Sequence, residues 1–216
     1  GAQWTVPLRQ GLVGTGIDVD LQAAYYAPHL RTPVAQDGGD GLDGLPQDAR
    51  QMLLDWAVQL DVLPADTPQA AWAVPPRMIV DRIARRRGLS AALLRPFVAA
   101  FLREVRTYLR RPDSPARAGA RSGLADTIRT HRPQVVVAHS LGSVVCYETL
   151  WAYPDLAVDL LITVGSPLAM SSVVFERLQP APTDGRGHRP PNVGRWVNIA
   201  DPGDIVAVPR PFTNRF

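Results

Sequence analysis

The sequence predicts an α/β domain: a mostly parallel sheet with helices on both faces. Three observations carry that prediction. Short apolar runs at 134–140 (QVVVAHS), 160–167 (LLITVGSP) and 193–200 (VGRWVNIA) have the length and β-branched content of buried parallel strands. Apolar residues recurring at three and four mark helices between them and before them. The order strand, helix, strand, excursion, strand in the last third is α/β order. A chain of 216 residues suits one such domain with a full core.

Taken from the start, residues 1–35 read as short and broken, with Ile17–Tyr26 as a candidate strand. Residues 36–46 (QDGGDGLDGLP) read as a surface loop because Gly and Asp dominate. Gln47–Leu63 is helical by pattern, with Met52, Leu53, Trp56, Leu60 and Leu63 on one stripe. Prolines 64, 68, 75 and 76 enclose a connector. Pro76–Arg87 predicts a helix with Ile79, Ile83 and Ala84 on one side and arginines on the other, ended by Gly88. Ser90 then caps a longer helix to about Arg110, striped by Leu94, Phe97, Val98, Phe101, Val105 and Tyr108. Pro96 argues for a later start to that helix. Residues 47–110 thus hold more helix than a simple crossover needs. They are expected either to cover the sheet or to cap a substrate cleft and border a hydrophobic acyl pocket. Arg111–Gly123 reads as a second loop, followed by a short helix at Leu124–Arg129.

Composition excludes several classes. One cysteine, Cys146, allows no intrachain disulfide and no zinc site built mainly from cysteines. His29, His131, His139 and His188 show no metal-ligand spacing. No run reaches 18 apolar residues, so no membrane span is expected. No basic-then-apolar leader opens GAQWTVPLRQG, and a single cysteine suits either redox compartment. All 23 basic residues are arginine, against 20 acidic ones, for a formal charge of +3. That balance does not point to nucleic acid. The densest patch is Arg82, Arg85, Arg86 and Arg87, with Arg77 nearby. It reads as a solvated helix face or as a contact for an anion or membrane surface.

The stretch Val135-Val136-Val137-Ala138-His139-Ser140-Leu141-Gly142-Ser143 is the chemical signal. It places a serine between a strand and a helix, with small residues two before and two after, as in a G-x-S-x-G nucleophile elbow. The turn must be tight to hold Oγ exposed at the strand's carboxyl end, and bulky neighbours would collide. Ala138 replaces the leading glycine, and Gly142 keeps the trailing one. Ser140 is the candidate nucleophile, and its bland alternative is a helix cap. The Leu141 N–H is the candidate oxyanion donor at a helix terminus. A serine nucleophile needs a histidine base, and the histidine needs an acid to orient it. Acids after Ser140 are Glu148, Asp155, Asp159, Glu176, Asp184, Asp201 and Asp204. Asp204 is preferred and Asp201 is the alternative, since both follow the 193–200 strand directly. Asp201 before Pro202 equally suits an Asx turn. No histidine follows Asp204. His188 precedes the acids and is an out-of-order candidate, and His139 reads as support for the elbow or, less readily, as the base.

Together, AHSLGS, TVGSPL and WVNIADPGDIVAVP resemble the serine esterase and lipase branch of the α/β-hydrolase superfamily, most nearly bacterial lipase-like and PGAP-like proteins. The resemblance covers about residues 124–210. It implies Ser140 as nucleophile, a strand ending in Gly165-Ser166-Pro167-Leu168, and Asp204 as the acid in the D-x-V turn Asp204-Ile205-Val206. It also implies an α/β-hydrolase-type fold. The usual first strand with its HG-x-G oxyanion loop, and the last strand-helix unit with its histidine, have no counterpart in the sequence. YYAPHL resembles the family's second strand. The expected function is hydrolysis of a carboxylic ester, thioester or amide through an acyl-enzyme, with a small or lipid-like acyl substrate and no metal or organic cofactor. An acyltransferase using the same serine, and a catalytically inactive hydrolase-like interaction domain, are the alternatives.

Overall fold

The three apolar runs become three strands: β1 (Val135–His139), β2 (Val158–Val164) and β3 (Val193–Ile199). They lie side by side in sequence order and all parallel, with Val137 opposite Ile162 and Ile162 opposite Val197. The computed structural model describes residues 2–16, 19–30, 41–64, 72–209 and 211–216. The start of the candidate strand at 17–26, the first half of the Gly/Asp loop and Pro68 lie outside the described residues. Residues 19–26 form no strand.

Six α-helices are described: α1 (Ala2–Val13), α2 (Gln47–Gln59), α3 (Pro76–Arg87), α4 (Ala91–Leu109), α5 (Pro115–His131) and α6 (Leu141–Ala152). α3 ends where expected, with Gly88 left-handed at φ 65°. α4 starts directly after Ser90 and carries Pro96 inside it, so the proline does not delay the start. α2 stops at Gln59, four residues early, and the chain reverses at Asp61 (φ 57°) while Leu60 and Leu63 stay buried.

The main departure is α5, which occupies most of the expected 111–123 loop. Ser114 accepts from the Arg117 N–H at 3.2 Å, and Pro115 stands at the first helical position, a start signal that the Gly and Arg content obscured. Gly119 and Gly123 are tolerated because His29 packs there. A Cβ on Gly119 would meet His29 Nδ1 at 2.6 Å. Inside this helix Arg117 is buried and paired with Glu148 of α6, itself fully buried. The Tyr108 hydroxyl donates to the same carboxylate at 2.7 Å, and the Gln179 N–H donates at 3.0 Å. This network joins α4, α5, α6 and the segment after β2.

α6 is buried on nearly every side, from Leu141 to Leu150. A helix buried on nearly every side must be covered on nearly every side, and its one charge, Glu148, is covered by its Arg117 partner. The sheet and α5 cover one side through Ala138, Leu161, Ala125, Ile128, Cys146 and Leu150. α2, α3 and α4 cover the other, and their stripes share one core with Leu141, Val144 and Val145. The layers are therefore sheet, then α5–α6, then α2–α4. Helices on both sheet faces are not what the described residues show: on the open face Val135 and Val137 are each 48% exposed and Ile199 is 51% exposed. Stacking on the apolar back of α6 satisfies the extra helices instead. No described helix is long and apolar enough to cross a membrane.

Candidate active site

β1 ends at His139 and α6 begins at Leu141, so one residue makes the whole turn. Ser140 makes it at φ 49°, ψ −130°, a region that residues with a Cβ rarely occupy. The turn is tied down at both ends. The Ser140 N–H extends the ladder to Val164 O at 3.0 Å. The Ser140 carbonyl accepts from the Ser143 N–H at 2.9 Å and from the Ser143 hydroxyl at 2.6 Å. Ser143 Oγ in turn lies 2.7 Å from the buried Ser166 Oγ, which follows β2. Ser140 makes no side-chain cap to the helix, so the cap alternative is not what its hydroxyl does here. The Leu141 N–H opens α6, outside the helical ladder.

Three strand ends bring the other groups together. Gly165 follows β2 at φ 55°, and a Cβ there would lie 2.8 Å from Asp204 Oδ2 and 3.6 Å from His139 Nε2. The glycine is thus needed both for its backbone and for the approach of an acid and an imidazole. Asp204 Oδ1 accepts from the N–H groups of Val206 (2.7 Å) and Ala207 (3.3 Å), which orient the carboxylate. Asp201 instead turns back on its own loop, with Oδ1 accepting from the Gly203 N–H at 2.6 Å. It serves the Asx turn that its place before Pro202 suggested.

His139 is the histidine that faces Asp204. Partial burial lowers its pKa below the free imidazole value, opposed by the Asp204 charge. His188 is exposed on the excursion before β3, and its backbone hydrogen-bonds the phenol of Tyr147, about two turns along α6 from the elbow. The structure does not bring it to Ser140. Glu148 belongs to the buried Arg117 network, and Asp155 pairs with Arg129 at 2.8 Å on the surface. Neither is placed at the elbow.

Two parts of the site had no signal in the sequence pattern. The Tyr26 ring packs 3.4 Å from where a Cβ on Gly142 would stand, with its hydroxyl at 3.5 Å, so the residue after YYAPHL's first tyrosine roofs the start of α6. Its pKa is raised by burial and by the nearby Glu104. Helix α2 reaches the acid loop, since Trp56 Nε1 donates to Ile205 O at 2.6 Å. A cavity of about 560 Å³ lies at the carboxyl ends of β2 and β3, lined by Ser166, Trp196, Ala200, Ala207, Phe212 and Phe216 among others. None of its lining residues comes from the helices at 47–110. Its wall comes mainly from β3 and from residues after Ala200, and Ser140, His139 and Asp204 are not part of that wall. The chain matches no family model, no curated protein and no solved structure.

Proposed function

We propose that the chain is a serine hydrolase of the α/β-hydrolase type, acting on a carboxylic ester, thioester or amide. The observation that carries this reading is the left-handed Ser140 between a parallel strand and a buried helix. A strained backbone at a single hydroxyl, held by Val164, Ser143 and Ser166, is a structural expense without a packing return. Ser140 Oγ attacks the carbonyl carbon and forms a tetrahedral intermediate. The Leu141 N–H donates to its oxyanion at the positive end of α6. The hydroxyl proton passes to an imidazole oriented by Asp204, then to the leaving group, and water repeats the sequence on the acyl-enzyme. His139 is the imidazole in reach of Asp204, and its lowered pKa keeps it in the neutral, proton-accepting form near pH 7.

The test is covalent labelling. A fluorophosphonate probe is expected to add one adduct, on Ser140, by intact mass and peptide mapping, and Ser140→Ala is expected to take up none. Labelling that persists in Ser140→Ala removes the assignment. Absence of labelling in the unaltered chain favours the interaction-domain alternative.

A further inference from the structure

The chain reversal after α2 faces the outer side of α3 across a shallow depression of about 490 Å³, lined by Asp61, Val62, Arg82, Arg85 and Arg86. Three guanidinium groups here border one concavity. Elsewhere in the described chain arginines are mostly spent. Arg95 holds Asp81 through two bonds, Arg106 holds Asp48, Arg129 holds Asp155, and Arg117 is buried on Glu148. Arg82, Arg85 and Arg86 have no hydrogen-bonded or ion-paired partner for their guanidiniums among the described residues. Asp81, the nearest acid on their own helix, is bonded to Arg95 and feels the charge of Arg85 without a hydrogen bond or ion pair to it. Asp61, across the depression, forms no ion pair with them.

The helix end explains part of this charge, because cations in a last turn oppose the helix dipole. It does not explain Arg82, a turn earlier, which the i, i+3, i+4 spacing sets on the same face as Arg85 and Arg86. Beside the depression, Arg87 reaches across to Leu60 O at 3.5 Å and ties the end of α3 to the end of α2. Its Nε is buried without a hydrogen-bond partner. Like charges gathered on one exposed rim repel one another, and an anion between them relieves that repulsion.

We infer that this α2–α3 depression is a binding site for a phosphate group, distinct from Ser140 and independent of what Ser140 does. Phosphate fits the chemistry better than a carboxylate, since several oxygens on a tetrahedral anion can each take a guanidinium N–H, whereas a carboxylate offers two. The site is open, so the phosphate can be free or the headgroup of an anionic lipid. Asp61 opposes a bare anion and sets the affinity from the other side.

Two probes distinguish the sources: inorganic phosphate by titration calorimetry, and sedimentation with phosphatidylcholine vesicles with and without phosphatidic acid. The triple variant Arg82→Gln/Arg85→Gln/Arg86→Gln removes exposed charge only, and circular dichroism melting confirms that it folds. It is expected to weaken binding by at least about tenfold, as the loss of charge-assisted bonds implies. Asp61→Asn is expected to tighten binding. A control with the same loss of charge at other exposed sites, Arg110→Gln/Arg132→Gln/Arg195→Gln, is expected to leave it unchanged. Binding of both probes supports recognition of the phosphate itself, and binding of acidic vesicles alone supports a headgroup. Equal weakening in the two triple variants, or no binding of either probe, overturns the inference.

Discussion

Ser140 sits at φ 49°, ψ −130°, where a residue with a Cβ costs on the order of 1–3 kcal/mol. Alanine keeps that Cβ, so Ser140→Ala leaves the strain and the fold as they are and isolates the hydroxyl. The two candidate acids differ in the same local way. Asp204 points at Gly165 and His139, while Asp201 caps the Gly203 N–H. Asp204→Asn is therefore expected to lower the labelling or ester-cleavage rate by roughly 10⁴, the scale of losing an orienting acid, and Asp201→Asn to lower it little. Stopped assays on both variants decide the matter, and a larger loss from Asp201→Asn reverses the assignment. His139 adds a pH signature. Its folded pKa lies below 6.5, so its stabilising contribution is complete above 6.5 and is lost as pH falls through the lowered value. The acidic limb of the rate is expected to have its midpoint below 6.5. His139→Gln is expected to abolish the rate. If the variant keeps the rate and the limb, the base is another histidine and His139 is only support.

At the scale of elements, the buried Arg117–Glu148 pair is what holds α5 to α6 where the elbow's helix must not move. Both side chains are almost fully buried, and Tyr108, Gln179 and the Arg177 carbonyl complete their hydrogen bonds. Burial and the Glu148 charge keep the Tyr108 phenol protonated and donating. Removing one partner leaves the other charge without compensation, so Glu148→Gln is expected to destabilise the fold by roughly 3–5 kcal/mol. The double change Arg117→Met/Glu148→Leu is expected to recover most of that loss. Urea melts of the three proteins measure it, and a double variant no better than the single would show that the pair's hydrogen bonds to Tyr108 and Gln179 matter more than its charges. The network was hidden from the sequence because a run reading RPDSPARAGARSG looks like solvent-facing loop. Only the partner at 148, about two turns along another helix, makes Arg117 a core residue.

For the whole molecule, the layers decide which wall borders the cavity at the strand ends. Helices α2–α4 spend their apolar stripes on α6 and on the acid loop through Trp56, rather than on a free-standing cap. The cavity at the carboxyl ends of β2 and β3, with Trp196, Phe212 and Phe216 in its wall, offers apolar volume within the roughly 300–1,000 Å³ of small-molecule sites. If it receives the acyl group, each added methylene strengthens transition-state binding by roughly 0.8 kcal/mol until the wall is reached. A p-nitrophenyl ester series is expected to show specificity constants that rise with chain length and then level off. Ala200→Phe, which narrows the cavity, is expected to bring the plateau to shorter chains. A flat series would place the acyl group in solvent.

The local pattern of the chain was enough for the strands at 135–139, 158–164 and 193–199, for helices α3, α4 and α6, and for the place of Ser140 in the turn between β1 and α6, because burial periodicity, a left-handed glycine stop and a serine between small residues are properties of neighbours in sequence. An α/β order of elements follows from the same periods. Tertiary structure alone decided the rest. Which acid turns toward Gly165, which histidine faces it, and which wall lines the cavity depend on side chains far apart in sequence meeting at three strand ends. The long α5 depends on a carboxylate supplied by α6. That Val135, Val137 and Ile199 stay half exposed among the described residues goes with α6 being buried on nearly every side, which draws helices α2–α4 to its back.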